Sequence, residues 1–151
     1  MNKIQASNPF FEIYSTPHGT VPFNLIKTEH YAPAIHEGIR RQNGEIDAII
    51  NNPDAPTFEN TIVPYEKSGE LLHRVNTVFG NLLSAETDDE LQELAREIMP
   101  LMSEHENNIS LNEKLFARIK TVYELADKAK LTPEQSKLLE DICLLYTSDA
   151  A

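Results

Sequence analysis

The chain has 151 residues, 40% of them hydrophobic and 25% charged, which is the size and composition of one globular domain and excludes disordered and fibrous classes. Its 13 Lys and Arg against 24 Asp and Glu give a formal charge of -11, which repels polyanions and argues against a nucleic-acid partner; Arg40-Arg41 is the densest basic spot. Cys143 is the single cysteine, so no internal disulfide can form, and no window approaches the ~18 apolar residues that span a bilayer.

The opening MNKIQASNPFFEIYS lacks the continuous apolar stretch of a signal peptide, so the cytoplasm is the expected compartment and no membrane partner is expected. Residues 1–27 read as an extended arm. Pro9, Pro17 and Pro22 fix φ and remove donors, and His18-Gly19 reads as a turn. Phe10, Phe11, Phe23 and Ile26 are apolar enough to pin the arm to a surface.

From Thr28 the apolar residues take up a helical period. Tyr31, Ile35, Ile39, Ile46 and Ile49/Ile50 recur at three- and four-residue steps, predicting a helix over residues 28–51. Asn51-Asn52-Pro53 ends it, because the residue before proline avoids the α region. A second helix is predicted from Thr57, with Asn60 as another N-cap candidate and a stripe of Phe58, Ile62, Tyr65, Leu72, Val75, Phe79 and Leu82/Leu83. Pro64 and Gly69 are awkward inside it; either the helix starts near Thr61 or it kinks at Pro64.

The third helix opens on a capping box, Thr87-x-x-Glu90, and carries Leu91, Leu94, Ile98, Leu101/Met102 and His105 on one face, with a bend expected at Pro100. The fourth opens at Asn112 with Leu115, Ile119, Val122, Ala126 and Ala129 as its stripe. The fifth opens on Thr132-Pro133-Glu134-Gln135, which puts threonine at the N-cap, proline at N1 and glutamine at N3, and continues through Leu138, Leu139 and Ile142. No segment alternates like a strand. The expectation is an all-α fold of about five helices in antiparallel hairpins after an extended amino-terminal arm.

Residues 143–151 read Cys-Leu-Leu-Tyr-Thr-Ser-Asp-Ala-Ala. One frame of a transposon-end sequencing adapter, TGT CTC TTA TAC ACA TCT GAC GCT GCC, translates to the same residues in order. The expectation is that this tail is adapter translation, that Cys143 has no biological role, and that the natural protein continues beyond Ile142.

The search for chemistry ends without a site. A zinc-peptidase helix needs H-E-x-x-H, so that two histidines bind the metal from one face and the glutamate activates water. His36-Glu37-Gly38-Ile39-Arg40 supplies the first half and then places a cation where the second ligand belongs. His105-Glu106 fails in the same way, with Ile109 at the fifth position. His30 and His36 are six apart and lie on different faces. There is no G-x-S-x-G and no glycine-rich phosphate loop. The acidic run Glu86, Asp88, Asp89, Glu90 reads as helix-start chemistry rather than an acid/base pair. No catalytic, cofactor-binding or metal-ligating residue is assigned in this chain.

One segment is more specific. Pro56-Thr-Phe-Glu-Asn-Thr-Ile62 resembles the amino-terminal hallmark of the thimet oligopeptidase family of zinc metallopeptidases, in its oligopeptidase A and peptidyl-dipeptidase branch. Its neighbours agree in order: Asn8-Pro9, Pro22-Phe23, Glu29-His30-Tyr31-x-Pro33-Ala34, Phe79-x-Asn81-Leu82, Leu111-Asn112-x-x-Leu115-Phe116-x-Arg118-Ile119 and Leu131-Thr132-x-Glu134-Gln135-x-x-Leu138-Leu139. The resemblance covers residues 8–142. It implies a helical, clam-shaped peptidase that cleaves short peptides in a deep cleft between two halves. It also implies zinc, held by an H-E-x-x-H helix and a glutamate that lie downstream of these residues. Residues 28–142 would then form part of the wall or cover of the cleft and pack against the missing catalytic region. Within the motif, Thr57 is expected to cap a helix, Phe58 and Ile62 to enter the core and Glu59 to face the first-turn dipole. The competing reading is a stand-alone helical interaction module without enzymatic activity.

Overall fold

The computed structural model describes residues 8–11, 25–85, 88–127 and 129–149. Their regular elements are all helices, with no strand among the described residues. They fall into two compact units, residues 1–42 with 69–102 and residues 43–68 with 103–151.

The first unit opens on Pro9–Phe11, a 3-10 turn rather than the extended arm expected there. Asn8 makes the difference: its backbone carbonyl accepts from the Phe11 N–H and its Oδ1 from the Phe10 N–H, each at 3.1 Å. Pro17, His18-Gly19, Pro22 and Phe23 lie outside the described residues. A second 3-10 turn, Thr28–His30, leads into helix α1, Tyr31–Ile50, close to the predicted bounds. Residues of α1 up to Gln42 belong to this unit. Phe10, Tyr31, Ile35, Leu72, Val75, Phe79, Leu91 and Ile98 form its core. The Tyr31 ring is tilted against Phe10 on one side and Phe79 on the other, at 5.5 and 5.2 Å between centroids. Gly38 lets helices approach: a Cβ there would lie 3.0 Å from Leu72 Cα.

The predicted second helix is two helices, and of the two expectations for Pro64 the first-turn one holds. A π-helical turn over Phe58–Ile62 passes into α2, Val63–Lys67, with Pro64 in the first turn of α2, where a missing N–H costs least. The break comes later. Ser68 closes α2, its N–H and Oγ both bonding to Tyr65 O at 3.1 and 2.6 Å, and Gly69 turns the chain at φ 73°. Helix α3, Glu70–Ala85, starts afresh. The apolar stripe read as one face is therefore divided. Phe58 and Ile62 enter the core of the second unit, and Leu72, Val75 and Phe79 that of the first. Only glycine takes this left-handed angle freely, and a Cβ at position 69 would also lie 2.6 Å from the Gln42 side chain. Gly69→Ala should cost about 1–2 kcal/mol, read as a lower thermal midpoint; Gly80→Ala, an exposed helical site with open space around it, should not.

Helix α4, Asp89–Ser110, runs unbroken through an exposed Pro100. Its N-cap is Asp88, whose Oδ1 accepts from Leu91 N–H at 2.7 Å; Thr87, the expected cap, lies outside the described residues. Leu91, Leu94, Ile98 and Met102 serve the first core, and Ile109 the second.

In the second unit, Asn112 caps α5, Glu113–Leu125, through Leu115 N–H at 3.1 Å. The helix ends at Leu125; Ala126, in extended backbone just past it, still packs against the second core, while the exposed turn residue Ala129 drops out of the expected stripe. Thr132 and Gln135 form the predicted reciprocal box at the start of α6, Pro133–Asp149, with bonds of 2.9 and 3.1 Å. Leu115, Ile119 and Val122 pack with Leu139, Ile142, Ile46, Ile49, Phe58 and Ile62. Helix α6 continues through residues 143–149, with Leu144 and Leu145 exposed.

Candidate functional site

The segment around the hallmark motif is held by a network of side-chain hydrogen bonds. Thr57 is the N-cap of the π-turn, as expected, and Asn60 is its N3 partner rather than a second cap. Thr57 Oγ1 accepts from Asn60 N–H at 3.1 Å, and Asn60 Oδ1 accepts from Thr57 N–H at 2.7 Å. The same Asn60 Oδ1 accepts from the Thr61 hydroxyl at 2.7 Å, while Asn60 Nδ2 donates to Ala55 O at 2.9 Å. Asp54 N–H donates to Asn52 Oδ1 at 2.9 Å, so the Pro53 turn is closed at both ends. Phe58 and Ile62 are buried and Glu59 is exposed.

Arg118, on α5, braces this loop from beneath. Its guanidinium donates to Asn52 O at 3.1 Å, to Asp54 O at 3.4 Å, to Asn60 Oδ1 at 3.4 Å and to Thr61 Oγ1 at 3.5 Å. The planar fork of arginine can reach several acceptors at once, which a lysine ammonium cannot reproduce. Sequence reading placed Arg118 in a motif without giving it a partner. The available signal was its position beside Ile119 and three residues after Leu115, at the edge of an apolar stripe, where a cation must be held by something.

The histidines are scattered. His30 is buried and structural: its Nδ1 accepts from Lys27 N–H at 2.9 Å and its carbonyl accepts from Asn8 Nδ2 at 2.9 Å. His36 and His73 are exposed, His105 is buried, and His18 lies outside the described residues. Glu37, the glutamate of the first half-motif, is clamped by two arginines. Arg40 donates to it at 2.7 and 2.8 Å and Arg41 at 2.9 Å. The Arg40 hydrogen bonds, aided by the one from Arg41, pull its carboxyl down to about 2. A glutamate so held is a poor base. The described residues do not fit a zinc ion: four positions after His36 and His105 stand Arg40 and Ile109, and no group of three or more His, Cys, Asp or Glu among the described residues could hold a metal. The arrangement caps helices and fixes a loop.

Two of these groups give stability a pH dependence. Glu37 is depressed from 4.5, so its contribution is complete above pH 4.5 and is lost as pH falls toward 2. His105 is depressed below 6.5 by burial, against a smaller opposite pull from Glu106. Its neutral form is favoured in the folded state, so stability declines as pH falls below 6.5. Urea midpoints across pH should fall in both windows; His105→Gln should remove the upper decline and Glu37→Gln the lower one.

The described residues define a helical region built around a capped loop. No family model matches the chain. Known proteins do match it. It is 41% identical over 135 residues to the dipeptidyl carboxypeptidase of Escherichia coli (strain K12) and 39% over 137 residues to that of Salmonella typhimurium (strain LT2). It is 28% identical over 135 residues to oligopeptidase A of Haemophilus influenzae (strain Rd). These alignments cover 89–91% of this chain but 19–20% of each relative, so the chain spans about a fifth of the length of the curated relatives it matches. The stretch matched is their amino-terminal part. The chain is thus similar to the amino-terminal region of dipeptidyl carboxypeptidases and of oligopeptidase A.

Proposed function

We propose that this chain is the non-catalytic amino-terminal region of a zinc-dependent metallopeptidase that hydrolyses short oligopeptides. The observation that carries the reading is the alignment of nearly the whole chain with a fifth of two dipeptidyl carboxypeptidases, at 39–41% identity. The higher identity to these relatives than to oligopeptidase A favours a dipeptide-releasing enzyme. On this reading residues 28–142 form part of the wall or cover of the substrate cleft. The zinc ligands lie in the catalytic region that follows, which packs on this one. Residues 143–151 are adapter translation, and the whole protein works in the cytoplasm on peptides rather than on nucleic acid or membrane.

The test is a comparison of two polypeptides. The 151-residue chain with added zinc should cleave no short peptide. The product of the gene read on past Ile142 should release dipeptides from the carboxyl end of an oligopeptide and stop when a chelator is added. Chelator-sensitive cleavage by the chain alone, or a completed gene without an H-E-x-x-H helix, would overturn the proposal.

A further inference from the structure

The second unit carries an open cavity of about 390 Å³. Its volume falls within the roughly 300–1,000 Å³ of small-ligand pockets. Two helical faces line it. Glu45, Ala48, Ile49 and Asn52 fall at i, i+3, i+4 and i+7 along α1 and its exit. Asn60, Pro64 and Lys67 fall at i, i+4 and i+7 along the π-turn and α2. Ala48, Ile49 and Pro64 supply carbon surface. At the rim stand one anion, Glu45, and one cation, Lys67. Both are exposed, and among the described residues neither forms an ion pair with the other or with any third group. Asn52 adds a donor. Its Oδ1 is occupied by Asp54 N–H at 2.9 Å and its carbonyl by Arg118 at 3.1 Å, while its Nδ2 has no acceptor among the described residues. Asn60 is fixed by Thr57 and Ala55, so this end of the cavity is set before any ligand arrives.

We propose that this cavity binds a free-ended dipeptide with an apolar side chain. The ligand's ammonium meets Glu45, its terminal carboxylate meets Lys67, its peptide carbonyl accepts from Asn52 Nδ2, and its side chain covers Ala48, Ile49 and Pro64. A nucleotide would bring only negative charge to Glu45. A segment inside a longer chain would lack the two terminal charges that the rim answers. Both rim charges are solvated, so each ion pair contributes little and binding is weak. The proposal stands on these side chains and does not need the peptidase reading.

The probe is the dipeptide Ala-Leu with free ends, titrated into the isotope-labelled full chain and followed by nuclear magnetic resonance. Backbone amide signals of Ala48, Ile49, Asn52 and Asn60, and the side-chain amide of Asn52, should shift saturably, with a dissociation constant on the order of 1 mM. Signals of Gly38 and Gly80, in the first unit, should stay in place. Glu45→Gln should weaken Ala-Leu binding about two- to fivefold, the size of an exposed ion pair, and leave binding of the acetylated dipeptide unchanged. Lys67→Gln should weaken it as much and leave binding of the amidated dipeptide unchanged. Both positions are exposed, so the fold tolerates either change. Absence of a saturable shift at these amides, or equal weakening of free and capped dipeptides by the two substitutions, overturns the proposal. Free leucine bound as tightly as Ala-Leu overturns it as well, because leucine lacks the peptide carbonyl that Asn52 reads.

Discussion

Ile62→Ala should destabilise the chain by about 3 kcal/mol, within the range of roughly 2–5 kcal/mol for emptying a buried aliphatic site. Ile62 is the last letter of the hallmark motif and is fully buried in the second core, beside the equally buried Leu115 and Ile119. Alanine leaves a cavity that the backbone can close only by shifting the π-turn, and that turn is held by Thr57, Asn60 and Arg118. The site therefore relaxes poorly, and the cost should lie in the middle of the range rather than at its floor. Glu59→Ala, on the exposed side of the same turn, should stay within about 0.5 kcal/mol. The chain has no tryptophan, so helical circular dichroism in a urea titration is the natural readout. Equal effects of the two changes would remove the claim that the motif is written for capping and core.

Gly38→Val and Gly44→Ala should move stability in opposite directions. Both glycines lie in α1, where glycine is a poor helix former by about 1 kcal/mol relative to alanine. At Gly44 nothing lies within 4 Å of an added Cβ, so alanine should stabilise by about 0.5–1 kcal/mol. At Gly38 the added Cβ meets Leu72 Cα at 3.0 Å and Leu72 N and Cβ at 3.1 Å. Those are backbone and near-backbone atoms of α3, which cannot swing aside as a side-chain tip can. The branched Val side chain should force the helices apart and cost about 3 kcal/mol, the upper end for overpacking. Gly38→Ala falls between, because its gain in helix propensity offsets part of the crowding. Thermal midpoints of the three variants give the ordering directly; a Gly38→Val chain as stable as the original would show that α1 and α3 are not in close contact there.

Much of the fold was legible because the signals are local. The starts of α5 and α6 follow from one acceptor side chain at Asn112 and one reciprocal pair at Thr132 and Gln135. The three- and four-residue steps of Tyr31, Ile35, Ile46 and Ile49 gave α1 its length and buried face. Other features depend on long-range contacts that a one-dimensional reading does not contain. The stripe from Phe58 to Phe79 looks continuous on a helical wheel, and only the φ of Gly69 divides it between two cores. The place where the Pro9–Phe11 turn docks depends on Asn8 reaching His30, 22 residues away. Arg118 could be placed in a motif, but its partners lie 57–66 positions earlier in the chain. Gly38 looked like a spacer in a failed metal motif, and its use became visible only once Leu72 stood opposite. The absence of a complete H-E-x-x-H could be read directly, since that pattern is contiguous.

The guanidinium of Arg118 has a further consequence. All of its oxygen partners belong to uncharged groups: two peptide carbonyls, an amide and a hydroxyl. Mobile ions weaken attraction between two formal charges far more than a short charge–dipole hydrogen bond, and none of these acceptors gains a proton in mild acid. The contour of the loop from Asn52 to Thr61 is thereby uncoupled from the ionic strength of the medium, even in a polypeptide whose overall charge makes most of its surface responsive to it.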